Sequence, residues 1–228
     1  MAGLQTIVNY CNGLTMNRRK MVGIQFTRNE AQRTSLTPTT NPWRFNLSIA
    51  NRFRYWSNRD LLEALDTLDR YQAETITFGN LPAINWIFRY QGTMNSLQVS
   101  TLAVQSFVGN QLVLQNLPGT PSTRVLFEPN DLIQIGTIPH PFTSTTQVVR
   151  GVDSTITITT NRGNWFDSSV AGLGITVGVD CQFKMFCPNM PTYKLIPGGY
   201  EKVGTTLVNN ALIEFSDNFE LYEYIESV

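Results

Sequence analysis

Charge is scarce in this chain, and so are the residue types on which many enzymes and secreted scaffolds rely. Only 15% of the 228 residues are Asp, Glu, Lys or Arg, against about a quarter in ordinary soluble domains. Thr, Asn, Ser and Gln fill the gap. A neutral polar surface of this kind suits a chain that ends up against neighbours, because fewer charges must be desolvated on assembly. It equally suits a β protein with Thr-rich strands. The three cysteines, Cys11, Cys181 and Cys187, form no even framework, which argues against a disulfide-stapled secreted domain and predicts folding in a reducing cytoplasm. With His140 the single histidine, a zinc site would have to borrow carboxylates, and the tight Cys/His clusters of zinc sites are missing. No basic run exceeds Arg18-Arg19-Lys20, so nothing predicts sequence-specific nucleic-acid binding. Nowhere do eighteen apolar residues follow one another, and the N-terminal stretch lacks the apolar run of a signal peptide; a soluble protein not exported by the usual route is expected.

Catalytic signatures are equally thin, and the expectation is a protein that is not an enzyme and uses no cofactor or metal. Ser154, Ser168 and Ser169 stand in no G-x-S-x-G setting, and no phosphate loop or dinucleotide fingerprint occurs. Gly172-x-Gly174 opens a strand-like run, so the helix of a phosphate cradle is lacking. His140 sits between Pro139 and Pro141 in a loop. A catalytic role would need Asp131 or Asp153 as a positioned partner, and the ordinary reading is an exposed or capping loop histidine. Asp153, Asp167 and Asp180 lack the spacing of a calcium loop. Trp165-Phe166 beside Asp167 would serve as a stacking platform for a sugar, or as a lid on its own core or a contact to a neighbouring subunit.

What the chain does have is alternation. Residues 155–159 alternate Thr with Ile, and the short runs 125–127, 132–135 and 154–160 read as strands among the turns Pro129-Asn130-Asp131 and Arg150-Gly151-Val152-Asp153. Residues 43–49 put Trp43, Phe45, Leu47 and Ile49 on one face, and residues 21–27 alternate likewise. Further strands are expected over 74–78, 84–90, 97–105, 111–117 and 174–186, and Cys181 and Cys187, which flank the QFKMF segment 182–186, would share one core face. Residues 28–41 have almost no apolar content and read as a loop or arm. The one convincing helix spans 59–71, with Ser57 and Asp60 resembling a capping box and Leu61, Leu62, Leu65 and Leu68 on one stripe. Residues 194–200 read as a strand end and turn, and 211–215 with 219–225 as a final strand pair.

The fold class is therefore mainly β with one main helix. Texture divides it into a domain of residues 1–92 plus 191–228 and an inserted small β-barrel of oligonucleotide-binding-like or related type over 93–190. Charge follows the chain unevenly: residues 1–92 hold 11 Lys and Arg against 6 Asp and Glu, and residues 93–228 hold 6 against 11. A basic front and an acidic tail attract one another within a chain or between neighbours.

The stretches 41–49 (NPWRFNLSI), 58–70 (NRDLLEALDTLDR), 84–92 (INWIFRYQG), 127–136 (FEPNDLIQIG) and 211–224 (ALIEFSDNFELYEY) resemble, in layout and texture, the distal-tail and baseplate-hub proteins of tailed bacteriophages. The resemblance implies a tail-tube-like β-sandwich or barrel with an outward-facing inserted barrel, and a virion protein built into a ring, six copies being the implied number. It also implies a lumen for genome passage, other tail-tube and baseplate proteins as partners, assembly in the host cytoplasm, and no membrane. Subunit contacts are then expected at Arg28, Arg33, Trp43, Arg44, Glu220, Glu223 and Glu226. The other function class open at this point is a carbohydrate-binding β module using Trp165 and Phe166.

Overall fold

The structure is a computed structural model that describes residues 3–17, 22–26, 32–36, 42–48, 53–67, 72–79, 85–119, 122–165 and 169–225. Among them the chain is mainly β, as its alternation predicts. It opens with helix α1 (Gly3–Tyr10) and strand β1 (Gly13–Asn17), and continues through β2 (Val22–Phe26), β3 (Gln32–Leu36), β4 (Arg44–Ser48) and β5 (Phe53–Arg54). Helix α2 (Tyr55–Thr67), β6 (Glu74–Thr77) and a 3-10 turn (Asn85–Phe88) follow. Helix α3 (Ser96–Thr101) precedes β7 (Ala103–Val108), β8 (Gln111–Gln115), β9 (Ser122–Phe127), β10 (Leu132–Ile135), β11 (Phe142–Thr143), β12 (Val148–Gly151), β13 (Ile156–Thr159) and β14 (Ile175–Val177). A second 3-10 turn (Gly178–Asp180) leads to β15 (Gln182–Phe186), β16 (Tyr193–Val203), β17 (Thr206–Phe215) and β18 (Phe219–Glu223).

The chain forms two compact units. One comprises Met1–Asn17, Trp43–Ile84 and Lys184–Ile225, the other Arg18–Pro42, Asn85–Phe183 and Glu226–Val228. The chain thus crosses between units after Asn17, Pro42, Ile84, Phe183 and Ile225, where sequence texture places two transitions, at 92/93 and 190/191.

In the first unit a five-stranded sheet has the order β1-β4-β18-β15-β6. Its covered face carries Phe45, Leu47, Met185, Leu221 and Ile76, all buried, with Phe45 edge-on to Phe78 at 5.1 Å. Leu4, Ile7, Val8 and Cys11 are buried at helical spacing along and just after α1. Glu74 of β6 caps this helix from outside: its carboxylate oxygens accept from the N–H groups of Gly3 (3.2 Å) and Leu4 (3.0 Å), satisfying first-turn donors with a favourable charge. Gln5 in turn donates to the Thr77 carbonyl (3.1 Å) and accepts from the Thr77 N–H (2.8 Å), so a side chain replaces a strand along β6. Removing the cap with Glu74→Ala is expected to lower stability by about 1–2 kcal/mol, read as the shift in a urea midpoint.

The same unit holds a three-stranded sheet of order β16-β17-β5. Residues 194–200 are not a strand end: β16 runs through Pro197, with a register shift between Pro197 and Gly199, and the turn lies at Gly204-Thr205. Nor do β17 and β18 pair with each other; β17 pairs with β16 and β5, and β18 with β4 and β15. Helix α2 begins at Tyr55, straight out of β5, so Ser57 lies inside its first turn, where its hydroxyl meets Glu201 at 3.4 Å instead of capping. Asp60 is thereby removed from the helix terminus. Leu62 is buried, while Glu63 and Asp66 are exposed; the side chains of Leu61 and Leu65, and residues 68–71, lie outside the described set.

The second unit surrounds one core, in which Val104, Phe107, Leu112, Leu114, Phe127, Ile133, Phe142 and Ile158 are central. Three small antiparallel sheets wrap it, of order β13-β8-β7, β12-β9 and β11-β10-β14. Isolated bridges Ala103↔Gly174 and Ser144↔Thr160 tie the first of these sheets to the third. Of the strand expected over 84–90, the described residues 85–90 form none: Asn85–Phe88 coil as a 3-10 turn that buries Phe88 against Phe183 at 5.8 Å and exposes Trp86. Residues 97–105 divide into α3 and β7, and α3 carries the capping box Asn95/Gln98. Within the expected arm 28–41, Gln32–Leu36 is a strand paired with β2 from Val22↔Leu36 to Phe26↔Gln32; the rest of that arm lies outside the described residues. Ladder hydrogen bonds use backbone groups and need no apolar side chains.

Candidate functional site

The residues singled out by sequence fall into different settings. Asp131 ends a turn, and its carboxylate accepts from the N–H groups of Gln91 (2.8 Å) and Glu128 (2.8 Å). Burial pushes this carboxyl up, and the N–H donors of Glu128, Gln91 and Gly92 pull it back. It is a structural clasp between chain segments rather than the partner of a catalytic histidine. His140, expected as an exposed or capping loop histidine, is buried and packs edge-on to Trp165 at 4.8 Å. Trp165 is half-buried and also has the Arg162 guanidinium over its ring at 5.9 Å. Phe166, Asp167 and Ser168 lie outside the described residues. Asp153 and Asp180 are exposed, and no group of three His, Cys, Asp or Glu gathers among the described residues.

Each cysteine is buried and unbridged. Burial pushes the Cys11 thiol up to about 12 and the Cys187 thiol up to about 11, and raises Cys181 as well. Thiolate, the reactive form, is thereby suppressed at neutral pH. We expect an aromatic disulfide reagent at pH 7.5 to leave the native chain unlabelled over minutes and to label three thiols once guanidinium unfolds it; rapid native labelling would contradict this burial.

Of the expected contact residues, Arg44 and Glu220 share the face of the sheet turned away from its core, whereas Trp43 and Glu223 meet each other in the interior. The register Thr15↔Asn46↔Glu220 and Asn17↔Arg44↔Tyr222 sets these side chains on the face opposite Phe45 and Leu221. There Arg44 lies over the Tyr222 ring at 4.9 Å, and the Tyr222 hydroxyl donates to Glu220 at 3.2 Å. Trp43 and Glu223 are 2% and 5% exposed, with the Trp43 N–H donating to the Glu223 carboxylate at 2.9 Å. They belong to the interior because odd positions of β4 and β18 face inward. Arg33 lies in β3 with its side chain undescribed, and Arg28 and Glu226 fall outside the described residues.

The most unusual surface is one the sequence reading passed over, the ribbon of β16 and β17. Ten residue pairs run from Tyr193↔Phe215 to Val203↔Thr206. Gly204, at φ +63°, supplies the left-handed backbone of the two-residue turn. Side chains alternate, so one face of the ribbon holds Lys194, Glu214, Glu201 and Asn210 among Ile196, Val203, Val208 and Leu212, and its polar groups are engaged. Lys194 pairs with Glu214 at 3.0 Å and Arg54 with Glu201 at 2.7 Å. Asn210 donates to Glu201 and accepts from the Trp56 N–H. The other face holds Leu195, Pro197, Tyr200, Leu207 and Ala211. At its root Ile213 is fully buried and Phe215 packs on Phe219 at 4.8 Å. Beyond the root the apolar face is uncovered: Leu195 is 49% exposed, Leu207 67% and Tyr200 74%. A two-stranded ribbon gains little stability alone, and contiguous exposed apolar surface marks an interaction site.

No protein-family model matches the chain, and no curated protein matches it. No helix among the described residues is long and apolar enough to cross a membrane.

Proposed function

We propose that the protein is a non-enzymatic structural component of a tailed-bacteriophage virion. It assembles with copies of itself into a ring at the distal tail or baseplate, with a lumen for the genome and docking surfaces for other tail proteins. The observation that supports assembly is the uncovered apolar face of the β16–β17 ribbon around Leu195, Tyr200 and Leu207; the charged groups Lys194, Glu214 and Glu201 of its opposite face are already held in ion pairs. Its occupant is a second copy: the polar, charge-poor surface of the whole chain lowers the desolvation cost of packing like against like. Placement in a phage tail, six-fold symmetry and the virion location rest on the sequence resemblance.

On this reading the unit with the five-stranded sheet is the tail-tube-like ring former, and the unit with three small sheets is an appended barrel of oligonucleotide-binding-like type. Bridges Ala103↔Gly174 and Ser144↔Thr160 support the barrel by drawing two of those sheets together. A carbohydrate-binding role draws no support from Trp165, whose ring is engaged by His140 and Arg162. Negative-stain electron microscopy of the purified protein tests the reading: closed rings are expected, and dispersed monomers at high concentration would overturn it.

A further inference from the structure

The second unit carries a surface of complementary character. A cleft of about 460 Å³ opens beside α3, β14 and the turn Gly178–Asp180. Met94, Val99 and Ile175 form a buried floor, and Val177 a half-buried wall. The cleft is preformed. Asn95 and Gln98 lock the start of α3 through a reciprocal capping box, and Gly178, at φ +73°, brings the turn against Tyr90 so closely that an added Cβ would lie 3.0 Å from the Tyr90 backbone nitrogen. At the rim stand Arg89 and Asp180, both exposed. Among the described residues neither side chain enters an ion pair.

Resting on the self-assembly reading, we propose that this cleft receives the apolar ribbon face of a second copy of the chain. The ribbon offers what the cleft lacks: Tyr200 and Leu207 lie on one face, beside Lys202, the single charged side chain on that face. Lys202 meets Asp180 in this arrangement, and the Tyr200 ring receives the Arg89 guanidinium as a cation–π partner. Glu201, on the ribbon's opposite face, is held by Arg54 and so does not repel Asp180. Burial of Tyr200 and Leu207 against Met94, Val99 and Ile175 drives the contact, and the two rim charges set its direction. Ribbon and cleft are different surfaces of one chain, so the contact is heterologous, the kind that closes into a ring when the rotation permits.

Because the three native thiols are buried, introduced cysteines report contacts cleanly. Asn209, beside Tyr200 on the ribbon, and Ser100, on the cleft rim, are both exposed. Asn209→Cys and Ser100→Cys variants, mixed and oxidised, are expected to give a disulfide-linked dimer that neither variant gives alone. In parallel, Asp180→Lys sets like charges together and is expected to weaken assembly at least about tenfold, and Lys202→Asp in the same chain to restore it. Intact assembly without a mixed disulfide, and unmoved by Asp180→Lys, would overturn the cleft assignment while leaving self-assembly standing. An intrachain disulfide in a monomeric Asn209→Cys/Ser100→Cys double variant would overturn it too. A wild-type chain that never assembles would instead remove the self-assembly reading beneath it.

Discussion

A chain carrying Tyr200→Asp and Leu207→Asp together is expected to fold normally and to lose self-association by about a hundredfold or more. Both side chains are largely exposed in the isolated chain, Tyr200 at 74% and Leu207 at 67%, so their replacement removes little intramolecular packing. Surface substitutions of this kind usually change stability by about 0.5 kcal/mol or less. In an assembly the same positions are desolvated. There an aromatic and an aliphatic anchor contribute as hot spots, on the order of 2 kcal/mol or more each, and two introduced carboxylates add a burial cost. Sedimentation velocity separates the outcomes. An unchanged unfolding midpoint with a loss of the fast-sedimenting species is expected, whereas unchanged sedimentation would show that the ribbon is not the contact.

The largest effect on stability is expected from Phe142→Ala in the second unit. Phe142 is fully buried, packs edge-on to Phe107 at 4.9 Å and lies beneath the Arg162 guanidinium at 5.1 Å. Arg162 is itself 2% exposed and donates to the Pro141 carbonyl at 2.9 Å. Deleting the ring leaves both a cavity and a buried cation without its aromatic face. The cavity alone costs about 3–5 kcal/mol. Fluorescence of Trp165, which shares the cluster, follows the unfolding of this unit in urea. A shift worth less than about 1 kcal/mol would mean that the site collapses without cost.

Where one face of a strand is buried and its backbone is regular, the sequence was a good guide. Trp43, just before β4, alternates with Phe45 and Leu47 within it and all three are buried, β10 matches residues 132–135, and β13 lies within 154–160. The failures have physical causes. The β-branched Ile7 and Val8 disguise α1, although Leu4, Ile7, Val8 and Cys11 keep the helical period. The box Asn95-x-x-Gln98 announces α3, yet a helix of six residues shows little periodicity. Ser57 and Asp60 fail as a cap because β5 feeds α2 directly, with Asn58 donating to the Arg54 carbonyl at 2.7 Å.

The candidate site was harder still to read. Gly198 and Gly199 form a bulge within β16, and an extra residue shifts the phase of alternation. Leu195 and Pro197 therefore share a face with Tyr200, not with Gly199, and a period-two reading breaks at the point where the apolar stripe continues. Pro-Gly-Gly then looks like a turn. The resemblance places Trp43 and Glu223 at subunit contacts, while the pairing that buries them joins β4 to β18 across more than 170 positions of chain. No local pattern encodes such a pairing.

The most direct measurement is the molar mass of the wild-type protein by light scattering as its concentration is raised. The ribbon account predicts a mass that climbs from one chain of 25.7 kDa to a fixed whole-number multiple and stays there, as a closed ring requires. A mass that remains at one chain across the whole range would contradict it.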